Sequence, residues 1–546
     1  MKRIARIVFI IILMLSAAVT FVYIGTIKGD DPAKRDSVIN GKTDADADRK
    51  KLVITGGNLA LQTGQSHQCA AEFETGESAK GVQWSSTDEN IAKIDADGRV
   101  TGIKAGKAEL WAVLGRNLKA RVTVSVYDDI RAAARNSIIS LAADGTEDSL
   151  KLVESLTREL SEAMDGESVN IAKVMKALTD FKKLGASGDG DAGQLWESLG
   201  KAADDAGMTF EPQILKRAAL SAFCHGERAS SDLTLSFAGD CTFAYFNESD
   251  RRGGFPSVYR NSGSVTYPFD LTRCVFGADD ISMINFEGAL TDSRSHKQKQ
   301  FYFRGEPSYI NILTGSSVEA VTLENNHSFD YFDTGFNDTT DIMREAGIKY
   351  STYDYPAITD SSFCRAVMLS LSIVGVGYTD EFREHTEYLI NRYKSDDTLI
   401  VVNVHWGNEN DDIPEKYQIE AAHAMIDAGA DLVIGHHPHV LQGIELYNGH
   451  YIVYSLGNFS FGGNSSASSP YTVIFRVSYE RTGSGELKLK KASIVPCFTT
   501  SSGNSVNNYQ PVPLFGSDGE ATVKRLLRLS SNLGGGVESL NWSMIP

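Results

Sequence analysis

An α/β architecture is what the sequence predicts for the larger part of this chain, from Asp232 onward. Apolar runs of strand length recur there: Leu233-Thr-Leu-Ser-Phe-Ala, Ile281-Ser-Met-Ile-Asn-Phe, Glu319-Ala-Val-Thr-Leu, Thr398-Leu-Ile-Val-Val-Asn-Val and Ala430-Asp-Leu-Val-Ile. Amphipathic stretches separate them, the pattern of strands alternating with helices. Helices are marked at Phe336 to Ala346, closed by Gly347, and at Pro414 to Ala428, with proline at the start and Gly429 at the end. At 546 residues the chain exceeds what one ordinary core holds, so it divides into several units.

Taken in order, the first unit is an apolar segment at 1–28. Lys2, Arg3 and Arg6 precede an uncharged run from Ile7 to Gly25, and about 20 apolar residues cross the hydrocarbon layer once. Basic residues on the leading side favour a single-pass anchor in the cell membrane with the bulk of the chain outside the cytoplasm. A cleaved signal peptide is the competing reading, since Ser16-Ala-Ala offers small residues. Residues 29–50 are polar and highly charged, as expected of a flexible tether.

Residues 51–127 change to short alternating segments, as in Gly81-Val-Gln-Trp-Ser-Ser, Ile91-Ala-Lys-Ile-Asp, Arg99-Val-Thr-Gly-Ile and Ala120-Arg-Val-Thr-Val-Ser-Val, which predicts a small β-sandwich. Asp97-Gly98 is a hairpin turn in that reading, and Trp84 belongs to the core. Residues 128–231 show helical spacing instead, for example Leu150, Val153, Leu156 and Leu160, with a break at Gly185-Ala-Ser-Gly. This is a helical linker region without chemistry. The α/β domain takes 232–515, and 516–546 is read as a C-terminal tail.

Charge and cysteine usage narrow the function classes. Against 70 acidic side chains stand 53 basic ones, a net charge of -17 with no basic block beyond the N-terminus, which argues against a nucleic-acid partner. An anionic polymer would also be repelled overall, so a local cationic patch or bound metal must attract it. The six scattered cysteines form neither a disulfide framework nor a zinc-ligand spacing, and isolated buried thiols are expected.

Each of the five strands runs into a polar, metal-competent cluster: Ala238-Gly-Asp240, Asn285-Phe-Glu287, Glu324-Asn-Asn326-His327, His405-Trp-Gly and Gly435-His436-His437-Pro-His439. In a largely parallel sheet the carboxyl ends lie along one edge, so the clusters are expected to converge. Imidazole, carboxylate and carboxamide oxygen together suit Mn, Zn or Fe, one ion or two, and two ions a few ångströms apart clamp the attacking and leaving oxygens of a displacement. Five of the eleven histidines lie in these clusters.

The blandest readings weigh differently from residue to residue. Asp240 as a strand-end helix cap is as good a reading as ligation when taken alone, and the Asn-Asn before His327 also suits a plain turn. His437 and His439 flank Pro438 in an extended loop, where ligation is the better account. His436 stands between ligand and substrate-facing support, and His423, inside a helix, reads as packing. Arg304 is a candidate anion-binding group, or equally an ion pair. Glu409 is read as support beside His405. Ser455 lacks the context of a nucleophile.

Longer segments carry a resemblance. Val82 through Gly106 looks like the bacterial Ig-like group 2 module. The segments Phe237-Ala-Gly-Asp, Ile284-Asn-Phe-Glu-Gly-Ala-Leu-Thr, Phe303-Arg-Gly-Glu-Pro, Asn325-Asn-His-Ser-Phe-Asp-Tyr, His405-Trp-Gly-Asn-Glu, Gly435-His-His-Pro-His-Val and Tyr454-Ser-Leu-Gly-Asn-Phe resemble the ordered motifs of the CapA/PgsA family of capsule and poly-γ-glutamate biosynthesis proteins. That family is similar to calcineurin-like metallophosphoesterases, which implies a four-layer α/β/β/α sandwich.

By that resemblance Asp240 sits at the first metal, Glu287 at a bridging position and Asn326 at the second metal. His405, His437 and His439 are the remaining ligands, and His327 is the acid that protonates a leaving group. Two positions depart from a phosphoesterase pattern: Thr242 stands where histidine would, and Glu287 where aspartate would. The expectation is a metal-dependent, hydrolase-like centre acting on poly-γ-glutamate or a related envelope polymer. Its rivals are a non-enzymatic assembly factor of a membrane synthase complex and, through the Ig-like module, adhesion.

Overall fold

The computed structural model describes residues 52–127, 168–227 and 232–542, apart from short stretches at 56–58, 74–76, 116–117, 188–191, 206–211, 250–251, 362, 465, 467–468, 484, 503–505 and 539–540. The anchor and tether expected at 1–28 and 29–50 lie outside the described residues, as do Leu150, Val153, Leu156 and Leu160. Among the described residues no helix is long and apolar enough to cross a membrane.

The N-terminal unit is built from strands where alternation placed them. Gln83–Ser86, Gly106–Leu114, Leu118–Tyr127 and Leu59–Gln62 form one sheet, and Ser66–Gln68, Arg99–Gly102 and Ala92–Ile94 a second. Inward residues such as Leu61, Val100, Leu110, Ala112 and Val124 make one core, with Trp84 packed against it from a partly buried position. The Asp97-Gly98 turn is held by Asp95, whose Oδ1 accepts from the Asp97 and Arg99 N–H groups. Gly98 has φ +82°, and a Cβ there would lie 2.9 Å from the Cys69 carbonyl, so only glycine suits. Helices follow at Ser168–Ser187, Ala192–Asp205 and Pro212–Glu227, the first ending within the expected Gly/Ser break.

In the larger unit the strands used below are β1 (Asp232–Thr242), β2 (Ile281–Phe286), β3 (Ala320–Thr322), β4 (Lys349–Ser351), β5 (Arg365–Ser372), β6 (Thr398–His405), β7 (Leu432–His436), β8 (His450–Val453), β9 (Asn458–Phe461), β10 (Tyr471–Arg481) and β11 (Leu487–Phe498). The helices are α1 (Phe332–Glu345), α2 (Asp380–Tyr393), α3 (Lys416–Ala428) and α4 (Gly516–Ser530). The first sheet runs β4-β3-β2-β1-β10-β11, with β9 also paired to β1. The second runs from Ala357–Asp360 through β5-β6-β7-β8 to Ile444–Tyr447. Neighbours within β1 to β4 and within β5 to β8 are parallel, whereas β10 is antiparallel to β1.

The five cluster-bearing strands are therefore divided between two sheets, not ranged along one. What unites them is a shared core: Leu235, Phe237 and Met283 of the first sheet meet Met368, Val401 and Ile434 of the second. Alternation along β10 sends Phe475 and Val477 into this core, while Arg476 between them points outward and donates to the Val275 and Ala278 carbonyls of a helical cover. On the far side, Leu389, Ile390, Ala421, Ala422 and Met425 of α2 and α3 close over Val402 and Val404. The order is helix, sheet, sheet, helix. The α3 start is a capping box between Glu415 and Gln418, two residues later than proline alone indicates.

The stretch expected as a tail from 516 is not one. In α4, Val523, Leu526 and Leu529 enter the inter-sheet core, and Ser530 Oγ accepts from the Ile444 N–H. All six cysteines are buried and unbridged.

Two stability predictions follow from these contacts. Leu526→Ala, at a position 1 % exposed, lowers stability by about 2–5 kcal/mol. A urea midpoint within error of the parent would make α4 a dispensable appendage. The second concerns Glu319, whose carboxyl burial pushes up to about 7 against the opposing hydrogen bond from the Ser282 N–H. The folded state then holds this proton where the unfolded chain, at about 4.5, has released it, so stability is lost as pH rises through that window. Glu319→Gln keeps an acceptor for Ser282 without the ionisation. It should raise the melting temperature at pH 8 and leave it unchanged at pH 4, and equal shifts at both would contradict the assignment.

Candidate metal centre

The carboxyl ends of β1, β2, β6 and β7 and the loop after β3 meet on one rim. Gly239 makes the approach feasible: a Cβ there would lie 1.8 Å from the Gly457 carbonyl, and the Asp240 N–H donates to that oxygen at 3.0 Å. Asp240 is thereby presented fully buried. Its Oδ2 is 3.0 Å from His439 Nδ1 and accepts from the His437 N–H at 3.3 Å, while Oδ1 is 3.3 Å from His436 Nδ1.

Asn285 holds this rim together. Its Nδ2 donates to Asp240 Oδ1 at 2.8 Å and to Glu287 Oε1 at 3.0 Å, and lies 3.4 Å from His405 Nδ1. Its own Oδ1 accepts from Asn325 Nδ2. The other ring nitrogen of His405, Nε2, is 3.0 Å from Asn326 Oδ1. The His405 and His437 rings lie 4.7 Å apart, and those of His437 and His439 5.8 Å. His437 and His439 have φ of 97° and 59°, left-handed backbone that a non-glycine residue adopts at a cost of order 1–3 kcal/mol. Strain at two ligand-type residues flanking one proline is the mark of a loop shaped by its site.

His327 stands at the edge, 5 % exposed, with Phe303 against its ring at 4.3 Å. Its Nδ1 is 2.8 Å from Asp330 Oδ2 and 3.2 Å from Lys299 Nζ, and in the tautomer that donates from Nδ1 to Asp330 the Nε2 lone pair is left for other partners. Lys299 Nζ holds the other Asp330 oxygen at 2.6 Å and donates to the Asn326 carbonyl at 3.0 Å.

The electrostatics are those of donors crowded without a counter-charge. Burial alone would raise the Asp240 carboxyl, but the His436 and His439 imidazoles hold it well below the usual range. Burial and the Asp240 charge push Glu287 up to about 8. Burial disfavours the His439 cation, yet Asp240 and Glu287 lift it to about 9. Burial and the His439 charge depress His437 to about 4. Glu287 Oε2, His437 Nδ1 and His436 Nε2 are buried without a hydrogen-bond partner, which native interiors rarely permit. Ligand atoms of Asp240, Glu287 and His405 fall within 4.8 Å of one another, and so do those of Glu409, His437 and His439. Nitrogen and oxygen donors in this proportion, with orphaned lone pairs, fit a divalent transition metal.

All seven residues expected at the centre, Asp240, Glu287, Asn326, His327, His405, His437 and His439, are brought together. His436, expected between ligand and substrate-facing support, is 2 % exposed with Nδ1 3.3 Å from Asp240 Oδ1. Arg304 is elsewhere: it is 1 % exposed, pairs with Glu248 through Nε at 2.9 Å and Nη2 at 3.3 Å, and donates to the Thr291 carbonyl. An anion would have to displace Glu248 to reach it. His423 pairs with Glu445 and stacks on Tyr447, as packing requires.

Residues 234–463 match the family described as Bacterial capsule synthesis protein PGA_cap, and residues 50–124 match the Bacterial Ig-like domain (group 2). The chain is thus similar over residues 234–463 to the CapA family of proteins, with an Ig-like module preceding them. It is 30 % identical over 251 residues to "PGA biosynthesis protein CapA" of Bacillus subtilis, covering 42 % of this chain and 63 % of the relative. It is 28 % identical over 260 residues to "Capsule biosynthesis protein CapA" of Bacillus anthracis, covering 43 % and 61 %. The chain thus spans about three fifths of the CapA relatives it matches. Among solved structures, the NAD nucleotidase NadN of Haemophilus influenzae aligns at 10 % identity and a TM-score of 0.29, over 57 % of this chain and 64 % of that one, too distant to bear on chemistry.

Asn285, Asn325, Asp330 and Lys299 complete this centre without having been assigned roles in it from sequence, while Glu409, read as support beside His405, lies with His437 and His439. A signal existed for Asn285, two residues before Glu287 and hence on the same face of an extended segment. Asn285→Asp turns its two donated bonds into carboxylate contacts at nearly constant volume. It should lower the melting temperature of the metal-free protein by about 5 °C, on the scale of a buried uncompensated charge. An unchanged melting curve would show that Asn285 does not carry the rim.

Proposed function

We propose that this chain is a membrane-anchored, extracytoplasmic component of capsule or poly-γ-glutamate production whose centre binds divalent metal and acts hydrolytically on an anionic envelope polymer. The observation that carries the reading is the convergence of buried, partly orphaned imidazole and carboxylate donors on one rim. Asp240, Glu287, His405, Asn326, His437 and His439 are the residues that would hold the metal. A cation bound there supplies a Lewis acid for a phosphoryl or carbonyl oxygen.

The remaining chemistry belongs to side chains. Asp330 holds the His327 ring through Nδ1, which leaves Nε2 as the nitrogen that would pass a proton to a leaving group. Phe303 excludes water from one face of that ring. The polymer's charge is met locally despite the net charge of -17, because the segment beside His327 carries Arg294, Lys297 and Lys299, of which Arg294 also pairs with Glu248 and Lys299 with Asp330. Lys297 and Arg294 are exposed, and the segment is tied down where the Lys297 N–H donates to the Asp330 carbonyl. This is the local cationic patch that an anionic chain requires.

The departures at Thr242 and Glu287 favour a second reading, in which the same pocket grips the polymer for a membrane synthase complex without cleaving it. Metal analysis of the detergent-solubilised chain, with hydrolysis assays on aryl phosphates and poly-γ-glutamate, separates the two. The first reading expects one or two equivalents of Mn, Zn or Fe and metal-dependent shortening of the polymer. His437→Ala with His439→Ala should abolish both, and bound metal with no turnover on either substrate favours the gripping role. Arg294→Ala with Lys297→Ala should weaken poly-γ-glutamate binding about three- to tenfold, on the scale of two exposed ion pairs, and flatten its salt dependence. Undiminished binding would place the polymer elsewhere.

A further inference from the structure

The loop after β6 carries a donor that the sequence suggests only as support beside His405. Glu409 is exposed, yet one of its carboxylate oxygens lies within 4.8 Å of ligand atoms of both His437 and His439. The loop is fastened there from several sides. The Asn410 N–H donates to the Pro438 carbonyl at 2.8 Å, with Asn410 in left-handed backbone at φ 67°. Gln442 Nε2 donates to the Asp411 carbonyl at 2.8 Å, and Arg525 reaches Asp412 at 3.2 Å. The backbones at Asn410 and Pro438 are thus joined directly, next to Glu409 and between His437 and His439.

The opposite observation comes from β1. Thr242, two residues beyond Asp240 where a histidine would offer a ring nitrogen, is fully buried, and its hydroxyl oxygen has no hydrogen-bond partner. Asp240 is the side chain that strand brings to the rim as a ligand, and His437 Nδ1 is buried without a hydrogen-bond partner.

We infer that Glu409 is a direct ligand of a divalent cation shared with His437 and His439, supplying from the β6 loop the donor that Thr242 cannot supply from β1. The inference rests on the metal reading proposed above and adds the residue that completes it. A two-imidazole, one-carboxylate set leaves positions open for solvent or substrate, the arrangement of catalytic and not of closed structural sites. Because the carboxylate sits on an exposed loop, the cation it holds is the more exchangeable of any pair.

The test uses cobalt as a probe on the full chain in detergent, read by equilibrium dialysis with metal analysis and by the visible absorption of bound Co(II). Three proteins are compared: the parent, Glu409→Gln and Glu409→His. The first variant removes the charge and the strong donor, and the second restores a donor without the charge. Glu409 is exposed, so neither disturbs the core. The expected result is that E409Q loses one cobalt equivalent or binds it at least tenfold more weakly, with a changed spectrum, and that E409H recovers stoichiometry. Parent-like affinity and spectrum in E409Q would overturn the inference while leaving the metal centre intact. Loss in E409Q without recovery in E409H would also overturn it, since Glu409 would then act through its field alone. No cobalt binding by the parent would remove the metal reading itself, and this inference with it.

Discussion

The structure depends on two carboxylates, Asp240 and Glu287, that are fully buried side by side with one carboxamide between them. Two buried anions at such range repel, and each is costly to remove from water. Asn285 relieves part of this by donating to both, His439 brings positive charge to Asp240, and His436 Nδ1 lies 3.3 Å from the same carboxylate. The compensation is incomplete: one Glu287 oxygen and two imidazole nitrogens remain buried without partners. Metal bound at the rim would engage Glu287 in one donor group and His437 in the other, and the strained His437-Pro-His439 loop keeps its donors in place rather than letting them relax toward each other.

The surroundings follow from that need. A site of anions in a chain of net charge -17 would repel an anionic polymer, and the segment from Arg294 to Lys299 sets basic side chains beside it, Arg294 and Lys299 already paired with Glu248 and Asp330. Lys299 belongs to both roles, since it faces the rim and also clamps Asp330, which orients His327. Buried cations away from the rim serve architecture instead. Arg304 joins the 248, 291 and 331 loops through Glu248, to which the Tyr331 hydroxyl also donates at 2.5 Å. Arg476 fastens the helical cover over the outer face of the first sheet.

Much of this was legible in the sequence because burial on both faces turns a strand into an unbroken apolar run. The strands at Asp232–Thr242, Ile281–Phe286, Thr398–His405 and Leu432–His436 stand where such runs are, and each carries its polar cluster at the expected end. The Ig-like module was legible through the complementary signal, alternation with turn residues at Asp97-Gly98. What misled was local likeness. The Ser/Gly-rich stretch before Gly516 reads as the start of a tail, yet Val523, Leu526 and Leu529 recur at helical spacing and find a core to fill. Arg304 in Phe-Arg-Gly-Glu looks poised for an anion, but its partner Glu248 lies far away in sequence, where no local pattern reveals it.

The sequence by itself determined which residue types end each strand, because a backbone that leaves a sheet frees its side chains for chemistry while the apolar run behind them sets the register. It therefore determined the donor set, the helix boundaries near Gly347 and Gly429, and the order of the modules. Only the tertiary structure decided that the five clusters come from two sheets sharing one core, that Asn285 is the residue binding them, and that Glu409 rather than Arg304 reaches the rim. The physical reason is that these outcomes depend on packing between the sheets. Periodicity within one segment reports which face of an element is buried, and carries no information about which other element will cover it.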